Sequence, residues 1–389
     1  MSVVGREPLR VVHVITDTTV GGAQMVLWRL LAGTDRARVE PSVIALGMPG
    51  PLARRIEDLG IEVECLGLRG LGDLPRGLAV LRRRLRAQRP AVVQTWMYHA
   101  DFLGGLAARL AGTGPVAWNV RSARLAPGAH ARATRLLARV NAALSHVLPA
   151  AVVCLGEAAR DWHGRIGYRR RRLVVIDNGW VATEPDPRAR QRLREELEVG
   201  ADEVLIARVC RFDPQKDLPG FLRAVGRVLR RHDAHVVMCG TGITWDNAAL
   251  ATWIHRTGVA SRIHLLGERQ DVASVYAAAD VVCSSSIAGE AVPNTIGEAM
   301  AHGVPVVTTD DGDCARMVDD TGLVVPPGDD RRLADALAQV IAMAPDARLR
   351  LGRRAQDRIR EHFALGAMIE RYTRLHARLA DEARGPRRR

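Results

Sequence analysis

An α/β fold made of two doubly wound, parallel-sheet domains is predicted by three features of this chain. Short apolar runs alternate with helical stretches almost from end to end, the pattern of strand-helix-strand units. The length of 389 residues exceeds one ordinary core and suits two domains of about 150–200 residues each. The alternation also breaks once near the middle, at Val181-Ala-Thr-Glu-Pro-Asp-Pro187, and then restarts.

Taken in order, the first run is Val-Val-His-Val-Ile at 11–15, followed by Gly21-Gly22-Ala23-Gln24, a loop leading into a helix. Runs at 42–46, 61–66, 91–93, 116–119, 151–154 and 173–176 complete the first series. Each is short enough for a strand and continuous enough to be buried on both faces. The Pro-containing break leads into a charged helix at 188–197 and reads as an interdomain hinge. A second series follows at 204–209, 235–239, 263–266, 281–284, 304–308 and 322–325. A helix at 367–380 ends the fold, and Arg384-Gly-Pro-Arg-Arg-Arg389 reads as a disordered tail. The domain boundaries expected are therefore 1–180 and 181–363, with 384–389 outside both.

Composition narrows the classes. Hydrophobic content of 47% and charged content of 25% are globular values. The six cysteines stand singly, with no C-x-x-C, which points to a reduced, cytoplasmic protein without a zinc framework. The N-terminus runs into the first strand with no signal-type core, and no apolar run approaches the ~18 residues of a spanning helix. The net charge of +13 is lopsided: residues 1–180 carry 26 basic and 13 acidic side chains, and residues 181–389 carry 30 of each. The excess gathers at Arg82, Arg83, Arg84, Arg86 and Arg89, at Arg132, Arg135 and Arg139, and at Arg169–Arg172. The middle group has i, i+3, i+7 spacing and forms one helix stripe, with Leu136, Leu137, Val140 and Leu144 expected elsewhere on the helix. Only 4% of residues are aromatic, and no base-reading motif interleaves the arginines, which argues against nucleic acid. An anionic membrane surface and an ordinary solvated face are the two readings left.

The string Cys283-Ser-Ser-Ser-Ile-Ala-Gly-Glu290-Ala-Val-Pro293-Asn294-Thr295-Ile-Gly-Glu298 reads as strand, loop and helix. The loop lies at the carboxyl end of a parallel strand, where open α/β sheets bind ligands, and a helix start offers N–H groups to an anion. A carboxylate in the loop and one on the helix can flank a single phosphate-bearing ligand. Both accept hydrogen bonds from sugar hydroxyls, which fits a nucleotide sugar. Alone, two glutamates at this spacing are as compatible with solvated charges.

Of the 56 Lys plus Arg residues only Lys216 is a lysine. A coding bias toward arginine would leave such a residue by chance. Its place, five residues after Arg211 at the end of the run 204–209, favours a site that takes a compact ammonium and not a guanidinium fork.

The E-x7-E of Glu290 and Glu298, followed by Gly-Glu-Ala-Met-Ala-x-Gly-x-Pro-Val-Val, resembles the retaining glycosyltransferases of family 4, which have the GT-B fold. The resemblance covers roughly residues 9–380. It implies two Rossmann-like domains facing a cleft, the first binding the acceptor and the second the nucleotide sugar, with the helix at 364–380 returning to the first. It also implies that Arg211 and Lys216 neutralise the leaving diphosphate, that Glu290 holds the donor sugar, and that Glu298 holds the ribose. Gly21 and Gly22 are similar to the family's first glycine loop, with Gln24 where a glutamate is usual. Gly240-Thr-Gly242 is similar to the second glycine loop, and Gly267-Glu-Arg269 to the stretch whose backbone meets the base. Asn294 and Thr295 are expected to offer main-chain N–H groups to sugar or phosphate. Trp96 stands where many relatives have a histidine, so His99, three residues on, is the candidate for a sugar contact. Ala291 replaces a usual glycine.

A metal-independent transferase of a hexose or N-acetylhexosamine, without cofactor and acting on a saccharide or lipid-linked acceptor, is the expectation that results. Three rivals stay open: a metal-dependent transferase using Asp311-Gly-Asp313, a nucleotide-sugar isomerase, and a non-catalytic nucleotide-sugar-binding protein.

Overall fold

The computed structural model describes residues 7–125, 131–290 and 292–385. The first six residues, residues 126–130, Ala291 and the tail from 386 lie outside them, so the expectations for the N-terminus, for the Ala-for-Gly exchange and for most of the tail fall there. The chain divides into two compact units, one formed by residues up to Gly179 with the segment from Leu365 onward, the other by Trp180–Ala364.

In the first unit the strands are β1 (Leu9–Ile15), β2 (Val39–Ala45), β3 (Val63–Cys65), β4 (Val92–Trp96), β5 (Val116–Val120), β6 (Ala151–Cys154) and β7 (Leu173–Val175). They form one parallel sheet in the order β3-β2-β1-β4-β5-β6-β7. Between them run α1 (Gly22–Gly33), α2 (Pro51–Glu57), α3 (Leu74–Gln88), α4 (Tyr98–Ala111), α5 (Arg132–Leu144) and α6 (Glu157–Arg165). β4, β5 and β6 are buried at every position, as a sheet covered on both faces requires.

The second unit opens with α7 (Pro187–Glu196). Its strands β8 (Val204–Val209), β9 (Ala234–Cys239), β10 (Ile263–Leu265), β11 (Val281–Ser284), β12 (Val306–Thr309) and β13 (Leu323–Val325) form a parallel sheet in the order β10-β9-β8-β11-β12-β13. The intervening helices are α8 (Leu218–Leu229), α9 (Ala248–His255), α10 (Val272–Ala278), α11 (Asn294–Ala301) and α12 (Cys314–Val318), and α13 (Asp330–Ile341) and α14 (Pro345–His362) follow. The last helix, α15 (Leu365–Arg384), carries Met368, Tyr372, Leu375 and Leu379 on one stripe, and they join the apolar core of the first unit. It continues through Arg384, where the sequence pattern expects the tail to begin, because Tyr372 and His376 are tied down by Asn119 and Gln94 and the helix has nothing to break it.

The second sheet has the 3-2-1-4-5-6 order of a doubly wound fold, and the first has the same order with a seventh strand added at the β6 edge. The strand order therefore reverses between β1 and β4 in one unit and between β8 and β11 in the other, and ligands bind at the carboxyl ends beside such a reversal.

The α5 stripe differs from its expectation. The helix buries Ala138, Asn141 and Ala142, leaving Leu136 63% and Val140 39% exposed on the same side as the arginines. Arg132, Arg135, Leu136, Arg139, Trp162 and Ile166 share one groove of about 480 Å³. The small residues face α4, where the Asn141 amide donates to the Tyr98 carbonyl at 2.9 Å, so the larger apolar side chains are turned outward with the charges.

Candidate active site

β8 and β11 are direct neighbours, with Val281 beside Ile206 and Val282 beside Ala207, so the loops at their carboxyl ends emerge together. The loop after β8 makes a single 3-10 turn, Pro214–Lys216, started by Asp213, whose carboxylate accepts from the Gln215 N–H at 2.9 Å. Asp217 then adopts φ 43° and caps α8 by accepting from the Gly220 N–H at 3.0 Å. The loop after β11 is fastened to this turn: the Ile287 N–H donates to the Gln215 carbonyl at 2.9 Å, and Ser285 Oγ to the Lys216 carbonyl at 2.8 Å.

This fastening brings two sequence-predicted residues together. Lys216 Nζ donates to Glu290 Oε1, forming an ion pair whose side chains are only 18% and 15% exposed. The same oxygen accepts from Ser286 Oγ at 3.0 Å, and the Glu290 N–H donates to Asp311 Oδ2 at 2.8 Å. Burial pushes the Glu290 carboxyl up; the Lys216 charge and hydrogen bond, Ser286 and the Arg208 charge outweigh it, leaving the pKa below the usual carboxylate range. Glu290 is held as an anion in a mostly dry place, where charge acts strongly on a bound ligand.

The D-x-D triplet has other work. Asp311 holds the Glu290 backbone and Asp313 pairs with Arg316 at 3.0 Å, both carboxylates being almost fully buried. Among the described residues no group of three or more His, Cys, Asp or Glu side chains is gathered as a metal site.

Arg211 stands beside this pair in the chain but turns its Nε to Asp213 at 2.9 Å and is 57% exposed. Glu298, on the fifth residue of α11, accepts from the Tyr276 hydroxyl at 2.8 Å. Asn294 and Thr295 are the first two residues of α11, where helix N–H groups are left over by the geometry. Gly240, at φ 141°, passes so close to the preceding loop that a Cβ would lie 2.0 Å from the Cys210 carbonyl oxygen. Gly242, at φ 76°, is crowded by Phe212. The close approach of these two glycines packs the β9 loop onto the Arg211 loop. The Arg269 side chain is bidentate to Asp271 at 2.9 Å and reaches Glu196 at 2.8 Å, so any part it takes falls to its backbone.

In the first unit Gly21 caps α1 and Gly22 begins it. The Gln24 amide folds over Gly21, where a Cβ would lie 2.6 Å from Gln24 Oε1, and donates to Asp17 Oδ1 at 2.8 Å. A glutamate at 24 would repel Asp17; the negative charge of this loop is carried by Asp17. Trp96 is fully buried, donating to His13 Nδ1 at 3.1 Å and stacking on Tyr372. His99 is exposed on the first turn of α4, and the protein against its ring lowers its pKa by desolvation.

Sequence reasoning missed Ser286, Tyr276 and Arg208. The first two look like ordinary loop and helix residues. The third had a signal, since an arginine inside a buried apolar run needs a partner.

Residues 20–183 match the family model described as Glycosyltransferase Family 4, and residues 203–343 the model described as Glycosyl transferases group 1. The D-inositol 3-phosphate glycosyltransferase of Corynebacterium kroppenstedtii is 33% identical over 199 residues, 48% of this chain and 44% of that protein. The phosphatidyl-myo-inositol mannosyltransferase of Mycobacterium leprae is 34% identical over 137 residues, 34% of this chain and 35% of its own. The chain thus spans about half or less of these curated relatives. Among solved structures, Anabaena HepE in complex with UDP-glucose matches with a TM-score of 0.84 and 21% identity, covering 95% of this chain and 100% of that one. Sucrose-phosphate synthase from Thermosynechococcus elongatus matches with a TM-score of 0.79 at 17% identity, over 96% and 100% of the two chains. These likenesses show the GT-B fold.

Proposed function

Because the chain belongs to the family 4 glycosyltransferases, we propose that it moves a hexose or N-acetylhexosamine from a nucleoside diphosphate to a saccharide or lipid-linked acceptor, with retention and without a metal. The observation that carries this reading is the Lys216–Glu290 pair at the β8/β11 reversal. The acceptor hydroxyl attacks the anomeric carbon on the face the diphosphate leaves. The carbon–oxygen bond to phosphate breaks, and the hydroxyl proton passes to the departing phosphate oxygen. Lys216, Arg211 and the α11 start balance the growing charge. Glu290 steadies the oxocarbenium-like sugar, and Glu298 holds the ribose. His99 and the Gly21-Gly22 loop serve the sugar and acceptor side.

Two of the relatives are named for D-inositol 3-phosphate and phosphatidyl-myo-inositol, and HepE was solved with UDP-glucose, so UDP-hexoses are the first donors to test, in work toward cell-surface polysaccharide or glycolipid. A melting screen of nucleoside diphosphate sugars reads binding directly, since a ligand of the native state raises Tm. Transfer to added saccharide and lipid-linked acceptors in the presence of a chelator then reads chemistry. A rearranged donor without acceptor would mark an isomerase, and binding without any product a non-catalytic protein.

Tyr276→Phe removes the hydroxyl that orients Glu298. It is expected to weaken UDP binding roughly fivefold, about 1 kcal/mol, with turnover at saturating donor little changed. Calorimetry with UDP checks this, and unchanged affinity would remove Glu298 from the nucleoside site.

The α5 groove supports peripheral attachment at the cytoplasmic face of a membrane. Arg169 and Arg172 are tied to the His146 and Ser145 carbonyls and Arg84 to Glu64, so the other basic clusters are partly structural. Arg132, Arg135 and Arg139 surround exposed Leu136, the mixture that lies in a lipid interface. Among the described residues no helix is long and apolar enough to cross a membrane. Co-sedimentation with anionic vesicles is expected at low salt, at about 1 kcal/mol per arginine near the surface, fading at high salt. Changing the three arginines to Gln should reduce it without changing transfer to a soluble acceptor. Indifference of the wild type to anionic vesicles would return α5 to a solvated face.

A further inference from the structure

Arg208 is the fifth residue of β8, and its side chain lies inside the second unit, 1% exposed. Its guanidinium sits over the Phe221 ring, 5.7 Å from the centroid. Nη2 donates to the Lys216 carbonyl at 2.8 Å and Nη1 to the Cys283 carbonyl at 3.0 Å. A buried cation costs several kcal/mol in desolvation, and an apolar residue would fill this strand position without that cost. What the arginine adds is a bridge between two particular places: the residue that carries the ammonium, and the strand end from which the Glu290 loop departs. Ser285 closes the bridge by donating to the same Lys216 carbonyl.

We propose that Arg208 is a positioning residue for the transfer: by gripping the Lys216 and Cys283 carbonyls it sets the spacing of the ammonium and the Glu290 carboxylate, and it places a second positive charge beneath them. The inference rests on the reading that Lys216 and Glu290 act in the reaction. Among the described residues, the charged or titratable groups that face Glu290 are Lys216, Arg208, Asp311 and Cys314. Taking Arg208 away leaves Lys216 as the one cation among them, so Glu290 protonates more easily.

Arg208→Met, Arg208→Lys, Lys216→Met and the Arg208→Met/Lys216→Met double variant test it, with UDP-glucose as donor and melting curves to confirm folding. Arg208→Met is expected to lower kcat about 10²-fold, the cost of a small misplacement, with KM for UDP-glucose within a few-fold of wild type. The acid limb of its pH–rate profile should move up. Arg208→Lys keeps the charge but not the two-carbonyl grip, so its acid limb should stay in place while kcat falls roughly tenfold. Adding Arg208→Met to Lys216→Met should cost little more, because coupled residues are not additive. Wild-type kcat in either folded Arg208 variant, or fully additive losses in the cycle, overturns the role of Arg208. An unmoved acid limb in Arg208→Met, with kcat lost only in proportion to folded protein, does the same. If Arg208→Met does not fold, the kcat of Arg208→Lys decides. Normal transfer by Lys216→Met alone instead overturns the reading of the site itself.

Discussion

Lys216→Arg is expected to lose about 10²–10³ in turnover, the loss typical of one misaimed donor, although it keeps the charge and is the exchange this arginine-rich chain makes nearly everywhere else. The reason lies in how Glu290 Oε1 is shared. It accepts from both Lys216 Nζ and Ser286 Oγ, an arrangement a compact ammonium permits. A guanidinium prefers to engage both carboxylate oxygens through its planar fork. It would turn Glu290 away from Ser286 and hold the cation on the carboxylate and away from the diphosphate. The fold should be unaffected, because the loop is anchored through the Lys216 carbonyl by Arg208 and Ser285, not through the ammonium. Steady-state transfer beside a melting curve checks this. Near-normal turnover would mean that the lone lysine is a relic of codon usage.

The two-sheet fold was legible in the sequence because each buried strand is a continuous apolar run, a signal that needs no tertiary information. The site was legible only as separate pieces. Lys216 and Glu290 lie 74 residues apart, and what joins them is the adjacency of β8 and β11, a strand order the chain does not announce. The same holds for Asp311: its triplet looks like a metal motif in one dimension, whereas β12 beside β11 turns its carboxylate to the Glu290 backbone. Gln24 is a local case. The missing charge reads as a loss until Asp17, seven residues earlier, is found accepting from its amide. The α5 stripe failed for a different reason: periodicity identifies faces, but which face is buried depends on the neighbour, and α5 presents its small residues to the core.

Glu290→Gln is expected to separate binding from chemistry with opposite signs. In the structure Glu290 neutralises Lys216, so a nucleoside diphosphate arriving at that ammonium meets a carboxylate already on it. Two charges a few ångströms apart in a partly buried site interact by several kcal/mol at an effective dielectric near 20, and part of that repulsion opposes the ligand. Glutamine keeps the shape and an acceptor oxygen for Lys216 and Ser286 but removes the charge. Free UDP should therefore bind tighter, on the order of tenfold or about 1.4 kcal/mol. Transfer should fall by about 10²-fold or more, because the anion that steadies the sugar's developing positive charge is gone. Glu298→Gln supplies the contrast: it lies on α11, held by Tyr276, and should weaken UDP binding. Calorimetric titration of both variants with UDP, beside their transfer rates, reads the difference. Weaker UDP binding by Glu290→Gln would show that the carboxylate assists the diphosphate's approach, and the roles assigned to the two glutamates would have to be exchanged.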